Sequence, residues 1–560
     1  MLSTILAWVY ITTVCWSWGC LTLALLNLHA PKDKPVEFAI VCMAGLSVIA
    51  VVCGYLSLFM ALGGTWPHII LVSVALLNAK RFLKPAALWR CAKQTFSNLH
   101  ITSVALLLSC VVLLLVMSAW YIIHPDTVGY HAQIIQWIKT YKAVPGLVHL
   151  NARYGLQNLW FVLCAVFSFS FLQSHSFTYV NSTVLLWFIY FVVGKATVSA
   201  AGKKSYTSFL WLALLAISIG SYVQLRLTAT SASPDFIAAL YVWLVIYLFV
   251  NRSQSILIKN LIFLFAVVAV TIKLSALPVL LFAACIAWET LFAKKWKSLL
   301  VFICAGLFIL APLLARNIIT SGYAFFPAAV ANIAPVDWKY NKEGTKYTAA
   351  YVKAYARNNT ITTAEETEAE NKKNFSQWIP VWWQQNGLAE KAILAIAVLS
   401  ILLWIFFFKR MIQTSNRETI LASIISIIGI VFWFYTAPAP RFGVGFLIGF
   451  TGLNVYTLFQ NFFKTPYVPK GWYIGAVVLL TIPVVAYDAY RFTVFFEWRQ
   501  WLKPAGLKAV VYKNETCNGF LVHLPPPGFE CAGSAVPCVD TCGAFLFRGR
   551  FMTDGFKEKP

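Results

Sequence analysis

Charge is what this chain has least of. Only 11% of its 560 residues are Asp, Glu, Lys or Arg, whereas soluble domains run near a quarter. A chain so poor in charge cannot clothe a water-soluble globule. Acidic residues are scarcer still, 20 against 44 Lys and Arg. The resulting net charge of +24 would suit nucleic acid, but no compact basic domain gathers it, so nucleic-acid binding is excluded. The first apolar run, Ile5 to Leu28, has neither a basic n-region nor a small-residue cleavage site, and it reads as a retained helix rather than a cleaved signal. Duplicated halves of the kind that build many transporters are not evident either.

What is abundant is apolar sequence: 60% of residues are hydrophobic, and the mean hydropathy is +0.73. These residues fall into runs near 5–28, 38–62, 66–78, 102–123, 177–194, 206–220, 236–251, 257–272, 275–292, 299–315, 392–408, 419–436, 443–460 and 472–487. Most are long enough to cross a hydrocarbon core of about 30 Å as a helix. The fold class expected is therefore an all-α polytopic membrane protein with about fourteen transmembrane helices.

Basic residues set the orientation. Lys32/Lys34, Lys80 to Lys93, Lys195/Lys203/Lys204, Arg252/Lys259, Lys294/Lys295/Lys297, Lys409/Arg410/Arg417 and Lys464/Lys470 all fall on one side when the spans alternate. That side is cytoplasmic by the positive-inside rule. Two stretches decide the count. Asn260 to Trp288 is too long for one crossing and reads as two, meeting at Lys273, with Pro278 starting the second. Leu156 to Leu172 would invert the later loops if it spanned, so it is expected to lie along or dip into the outer leaflet. The plan is a three-helix segment over 1–78, a basic cytoplasmic linker over 79–101, a core over 102–487 with outer loops 124–176 and 316–391, and an outer tail over 488–560.

The most chemical segment is His124-Pro125-Asp126-Thr127-Val128-Gly129-Tyr130-His131, directly after an apolar span. It leads into a stretch to Tyr141 that reads as an amphipathic surface helix. Asp126 could serve only as a helix cap, but that does not explain why titratable groups gather at a membrane exit. Ser231 to Asp235 opens a later helix from the same side, and Lys273, Arg316 and Arg441 also stand at outer boundaries.

An acidic residue soon after a helix leaves the membrane, followed by surface helices in the first large outer loop, resembles the GT-C superfamily of glycosyltransferases. Protein O-mannosyltransferases and the aminoarabinose transferase of lipid A belong to it. The likeness covers roughly residues 102–450 and includes Tyr141 to Gly155, Ser231 to Asp235 and Thr271 to Ser275. Many relatives carry two adjacent acids, but here Thr127 follows Asp126, so no second acid of that loop is carried over. The resemblance implies transfer of a sugar from a polyprenyl-phosphate donor to a lipid, glycan or protein acceptor on the outer face; a bacterial inner membrane is expected from the lack of an organelle retention signal over Lys557 to Pro560.

Inverting transfer needs a carboxylate to take the acceptor's proton, and cations to hold the leaving phosphate. Asp126 is the expected base, with His124 and His131 beside it. Arg153, Lys273, Arg316 and Arg441 are the candidate phosphate ligands, and Asp235 is the other substrate-side acid. No cofactor signature is present; Asp126, His131 and Asp235 are the donors available to a divalent metal such as Mg or Mn. Trp378, Trp382 and Trp383 could stack on a sugar or simply anchor at the interface. The run from Glu365 to Glu370 reads as a solvated helix face.

Of thirteen cysteines, four lie in the tail. Cys517, Cys531, Cys538 and Cys542 are expected to form two disulfides of unspecified pairing, with a zinc site using His523 as the alternative. Rival readings are a polymerase or ligase acting on undecaprenyl-diphosphate-linked glycans, and a lipid or glycan transporter, which would place charge at mid-membrane depth.

Overall fold

The computed structural model describes residues 1–26, 36–82, 101–172, 176–197, 204–220, 227–229, 231–252, 255–329, 332–462, 467–495, 497–508, 510–539, 541–542 and 545–559. Lys32, Lys34 and nearly all of the linker expected over 79–101 lie outside the described residues, as do Lys203 and Lys464.

The chain is mostly helical. In order, the helices are α1 (Leu2–Leu26), α2 (Phe38–Phe59), α3 (Trp66–Phe82), α4 (Ile101–Ser118), α5 (Ala132–Thr140), α6 (Leu159–Val166), α7 (Tyr179–Thr197), α8 (Tyr206–Gly220), α9 (Asp235–Val250) and α10 (Ile256–Ile272). They continue as α11 (Leu280–Phe292), α12 (Trp296–Ser321), α13 (Lys342–Arg357), α14 (Ala364–Lys372), α15 (Phe375–Gln385), α16 (Leu388–Phe406), α17 (Phe408–Thr414), α18 (Arg417–Thr436), α19 (Pro440–Phe462) and α20 (Lys470–Phe495). Among the described residues, ten helical stretches are long and apolar enough to cross a membrane. The protein is a membrane protein.

Each apolar run read from the sequence lies on a helix, with end shifts that have local causes. α4 stops at Ser118, short of residue 123, because the backbone beyond it pairs with the tail: Ala505 N–H donates to Ala119 O and Ile122 N–H to Gly506 O, both at 2.9 Å. The break at Lys273 is real. α10 ends at Ile272, Lys273 is extended, and Leu274–Val279 forms a 3-10 turn containing Pro278 before α11 begins.

Two expectations about the loop after α4 are corrected. The helical part of segment 156–172 is not an exposed surface helix. That part, α6, has only eight residues, too few to span, and all eight are buried against α2, α5 and α7. Asn158 starts it, accepting from Phe161 N–H at 2.8 Å. α5 is amphipathic but not a surface helix: Ile134, Ile135, Trp137 and Ile138 face the core, and buried Gln133 faces the tail. A polar helix face signals contact with something polar, and here that partner is protein.

The tail holds short antiparallel pairs, β1 (Lys513–Cys517) with β2 (Phe520–Leu524) and β3 (Phe545–Phe547) with β4 (Phe556–Glu558). Disulfides join Cys517 to Cys542 and Cys531 to Cys538. All four thiols are thereby used, which removes the zinc alternative, and His523 bonds Asn514 instead.

Candidate functional site

Three helices present their same-side ends to one another. α9 packs against both α10 and α19. Asp235 is the first residue of α9, Lys273 follows the last residue of α10, and Arg441 is the second residue of α19. Asp235 suits the positive end of a helix and Lys273 the negative end, but Arg441 stands at the end that disfavours a cation. Its place is explained by its partners.

Arg441 Nη2 lies 2.8 Å from Asp126 Oδ2, and Arg441 Nε lies 3.4 Å from Asp235 Oδ2. Lys273 Nζ donates to Asp235 Oδ1. Both cations also lie over the ring of Phe442, Lys273 at 3.8 Å from its centroid and Arg441 at 5.0 Å. Two carboxylates thus meet two cations at one end of the bundle. Asp126 makes no helix-cap hydrogen bond; its carboxylate is turned to Arg441 instead.

Burial opposes the charge on Asp126, but Arg441, His124 and His131 together outweigh it and hold the carboxyl below the ordinary carboxylate range. Burial is the largest effect on the histidines, and the nearby cations act with it. It lowers His124 against the pull of Asp126 and pushes His131 down to about 3. Both imidazoles are therefore neutral near pH 7. Their rings lie 5.8 Å apart, and His131 Nδ1 is 3.1 Å from Thr127 Oγ1.

A narrow cleft opens onto this cluster, lined by His124, Thr228, Ser233, Asp235, Phe236, Arg441 and Val444. Its wall is polar on the Asp235 side and apolar along Phe236 and Val444. Nδ1 of His124 is buried with no hydrogen-bond partner among the described residues.

The metal donors differ from those expected. His124, Asp126 and Asp235 bring one ligand atom each to within 4.8 Å of one another, while His131 is engaged with Thr127. The donor types suit a divalent ion, but both carboxylates already face Arg441 or Lys273. A third positive centre among them would sit against two like charges.

The other expected residues lie elsewhere. Arg316 is buried and donates to Gln157 Oε1 at 3.0 Å and to Ser57 Oγ at 2.9 Å, away from the four-charge cluster. Arg153 stands at the rim: its Nη2 pairs with Glu530 Oε2 at 3.0 Å and its guanidinium lies 5.8 Å from the Tyr130 ring centre. Trp378 and Trp382 do not offer faces to a ligand. They are buried beneath the loop, Trp378 under Arg357 and Trp382 donating to Pro438 O at 2.8 Å. Glu370, from the run taken as solvated, is buried and pairs with Lys373 at 2.7 Å.

Sequence reasoning missed the aromatic row of α13. Tyr347, Tyr351 and Tyr355 recur every fourth residue, with ring centres 6.2 and 5.7 Å apart. Tyr351 is within electrostatic reach of Arg153 and Asp126, and Tyr355 of Arg441. The i, i+4 spacing was the available signal. Gln133 and Glu530 were also missed, because contacts made across hundreds of residues leave no local pattern.

No curated protein and no solved structure matches this chain. A family model does match over residues 1–448, a span that contains Asp126, Asp235, Lys273 and Arg441 together, and the chain belongs to that family, described as a domain of unknown function (DUF8201).

Proposed function

We propose that the protein is an integral membrane glycosyltransferase that moves a sugar from a polyprenyl-phosphate carrier to an acceptor, with inversion. The observation that carries this reading is the pairing of Asp126 and Asp235 with Arg441 and Lys273 beside a narrow, half-apolar cleft. A lipid monophosphate is the ligand whose charge two adjacent cations would hold. All four groups sit at one end of the bundle, whereas a transporter places charge at mid-depth.

In this reading the ten long stretches and the shorter Trp66–Leu77, Thr207–Ile219, Asp235–Val250 and Ile256–Ile272 make fourteen crossings. Basic residues such as Lys294, Lys295, Lys297 and Lys409 face the cytoplasm of a bacterial inner membrane. The site and the disulfide-bearing tail then face the exterior, an oxidising side that suits two disulfides.

The chemistry follows from the charges. The donor phosphate takes over Arg441 and Lys273, which frees Asp126 from its ion pair and raises its basicity. Asp126 then accepts the proton of the acceptor hydroxyl as that oxygen bonds to the anomeric carbon. The bond from that carbon to the phosphate oxygen breaks, and the phosphate leaves with the electron pair. A lipid phosphate is already a good leaving group, so no general acid is required. Tyr347, Tyr351 and Tyr355 supply an amphipathic surface for sugar rings. Should Mg or Mn be required, His124, Asp126 and Asp235 are the residues that would hold it.

The test is sugar transfer by purified protein in nanodiscs, offered a panel of polyprenyl-phosphate sugars, with Asp126→Asn as the control. Transfer that drops about 10²- to 10⁴-fold in the variant, with donor binding intact, supports the reading. Undiminished transfer removes Asp126 and favours a polymerase or ligase, and no transfer from any donor favours a transporter.

A further inference from the structure

The tail beyond residue 488 touches the first loop at four separated places. Upstream of His124, the backbone of Ala119 and Ile122 bonds to Ala505 and Gly506. Two residues after His131, the Gln133 amide Nε2 donates into a cage of oxygens: Cys531 O at 3.3 Å, Ala532 O at 3.2 Å, Ser534 O at 3.0 Å and Ser534 Oγ at 3.2 Å. Further on, Phe556 N–H donates to Pro145 O at 2.9 Å. Last, Glu530 pairs with Arg153, whose Nη1 lies only 3.0 Å from where a Cβ on Gly129 would stand.

These contacts differ in weight. The Arg153–Glu530 pair is partly exposed and contributes little by itself. Gln133 is fully buried, and losing its amide would leave several tail oxygens without a donor, a costlier defect. The cage it enters is the turn that the Cys531–Cys538 disulfide closes, and Tyr512 Oη adds a hydrogen bond to Cys531 O at 3.1 Å. At Pro145 the approach is so close that both segments need glycine. Gly146 (φ +65) and Gly555 (φ +87) are left-handed, and a Cβ at either would lie 2.0 to 2.2 Å from the opposing carbonyl oxygen.

We propose that Gln133, seated in the disulfide-closed turn 531–538, is a positioning residue that fixes the loop carrying His124, Asp126 and His131. The tail thus braces the candidate site from behind its lining, and catalysis depends on an oxidised tail. Gln133 touches no reacting atom; it acts through the short helix that joins it to His131 and Asp126. This role rests on the reading of Asp126 as the base, but the mechanical link does not.

The experiment is hydrogen exchange on the full chain in nanodiscs, comparing wild type, Gln133→Ala and the double variant Cys531→Ser/Cys538→Ser. Wild type reduced after folding with a membrane-impermeant phosphine provides a sample whose fold was already complete. In all three altered samples, residues 127–141 are expected to exchange about tenfold faster, while protection of Asp235–Val250 stays as in wild type. In the transfer assay, turnover at saturation is expected to fall about tenfold with the KM for donor held within about twofold. A general loss of packing would move both. Unchanged exchange over 127–141 in every sample overturns the proposal. Faster exchange with no transfer by wild type leaves the link standing and defeats the glycosyltransferase reading. Faster exchange with unaltered turnover defeats the positioning role alone.

Discussion

Arg441 lies 2.8 Å from Asp126, and the same guanidinium reaches Asp235 at 3.4 Å through its Nε. One planar side chain thus spans the acid of the first loop and the acid that opens α9. A lysine offers a single point charge and cannot serve both. Arg441→Lys is therefore expected to keep the fold but to lower transfer about 10²- to 10³-fold, the scale of losing one preorganised charge contact. Turnover and donor affinity measured on the folded variant check this, and wild-type turnover would take Arg441 out of the phosphate site.

His131 gives a pH dependence whose sign can be worked out. Burial holds its pKa at about 3 in the fold, against about 6.5 in an unfolded chain. The unfolded state therefore binds the proton more readily below pH 6.5. The stability tied to neutral His131 is complete above that pH and is lost progressively as pH falls toward 3. His124 acts in the same direction, whereas Asp126, held below its ordinary range, matters only below about pH 4. Melting temperatures between pH 7 and 4.5 should fall in wild type and fall less in His131→Asn. Parallel curves for the two proteins would show that His131 is not buried as a neutral ring.

The four-charge cluster was legible because topology alone sorts residues by side. Asp126, Asp235, Lys273 and Arg441 each stand at the end of an apolar run, and alternation put all four ends together before any distance was known. Arg316 stands at such an end too, yet its partners are Ser57 and Gln157. Sidedness narrows a plane but does not say where in the plane a residue falls. The tryptophans misled for a related reason. Trp378 and Trp382 belong to an amphipathic helix, and composition does not tell whether its apolar face meets lipid, sugar or protein. α6 read as a membrane-surface element because its cover comes from helices distant in sequence such as α2, and α5 because the tail turn that covers Gln133 lies hundreds of residues away. Gln133 and Glu530 take their meaning only from that cover.

Chelation tests the charge balance at the site. Two cations already neutralise the two carboxylates there, so no divalent ion is needed to hold a lipid phosphate. Transfer is expected to be unchanged by EDTA. Lys273→Met would leave Asp235 with Arg441 alone, and with His124 Nδ1 unpartnered nearby that variant is expected to bind Mn²⁺ measurably by electron paramagnetic resonance, where wild type does not. Wild-type activity abolished by EDTA and restored by Mn²⁺ would instead assign His124, Asp126 and Asp235 as metal ligands.

Tyr351 and Trp378 are expected to fail in opposite ways when truncated. Tyr351 lies mid-row on α13, its ring 5.7 Å from that of Tyr355 and partly open to solvent. Trp378 is fully buried, packed on Phe375, Trp382 and Phe434 beneath Arg357. Removing a buried tryptophan leaves a cavity and costs about 3–5 kcal/mol. Trp378→Ala should therefore lower the melting temperature while the folded fraction keeps its KM for acceptor. Tyr351→Ala should melt close to wild type but raise that KM roughly three- to tenfold, the scale of one aromatic contact. Acceptor titrations and thermal melts on both variants separate the two roles. If Tyr351→Ala leaves the KM untouched while Trp378→Ala raises it without loss of stability, the sugar surface belongs to the tryptophans and not to the tyrosine row.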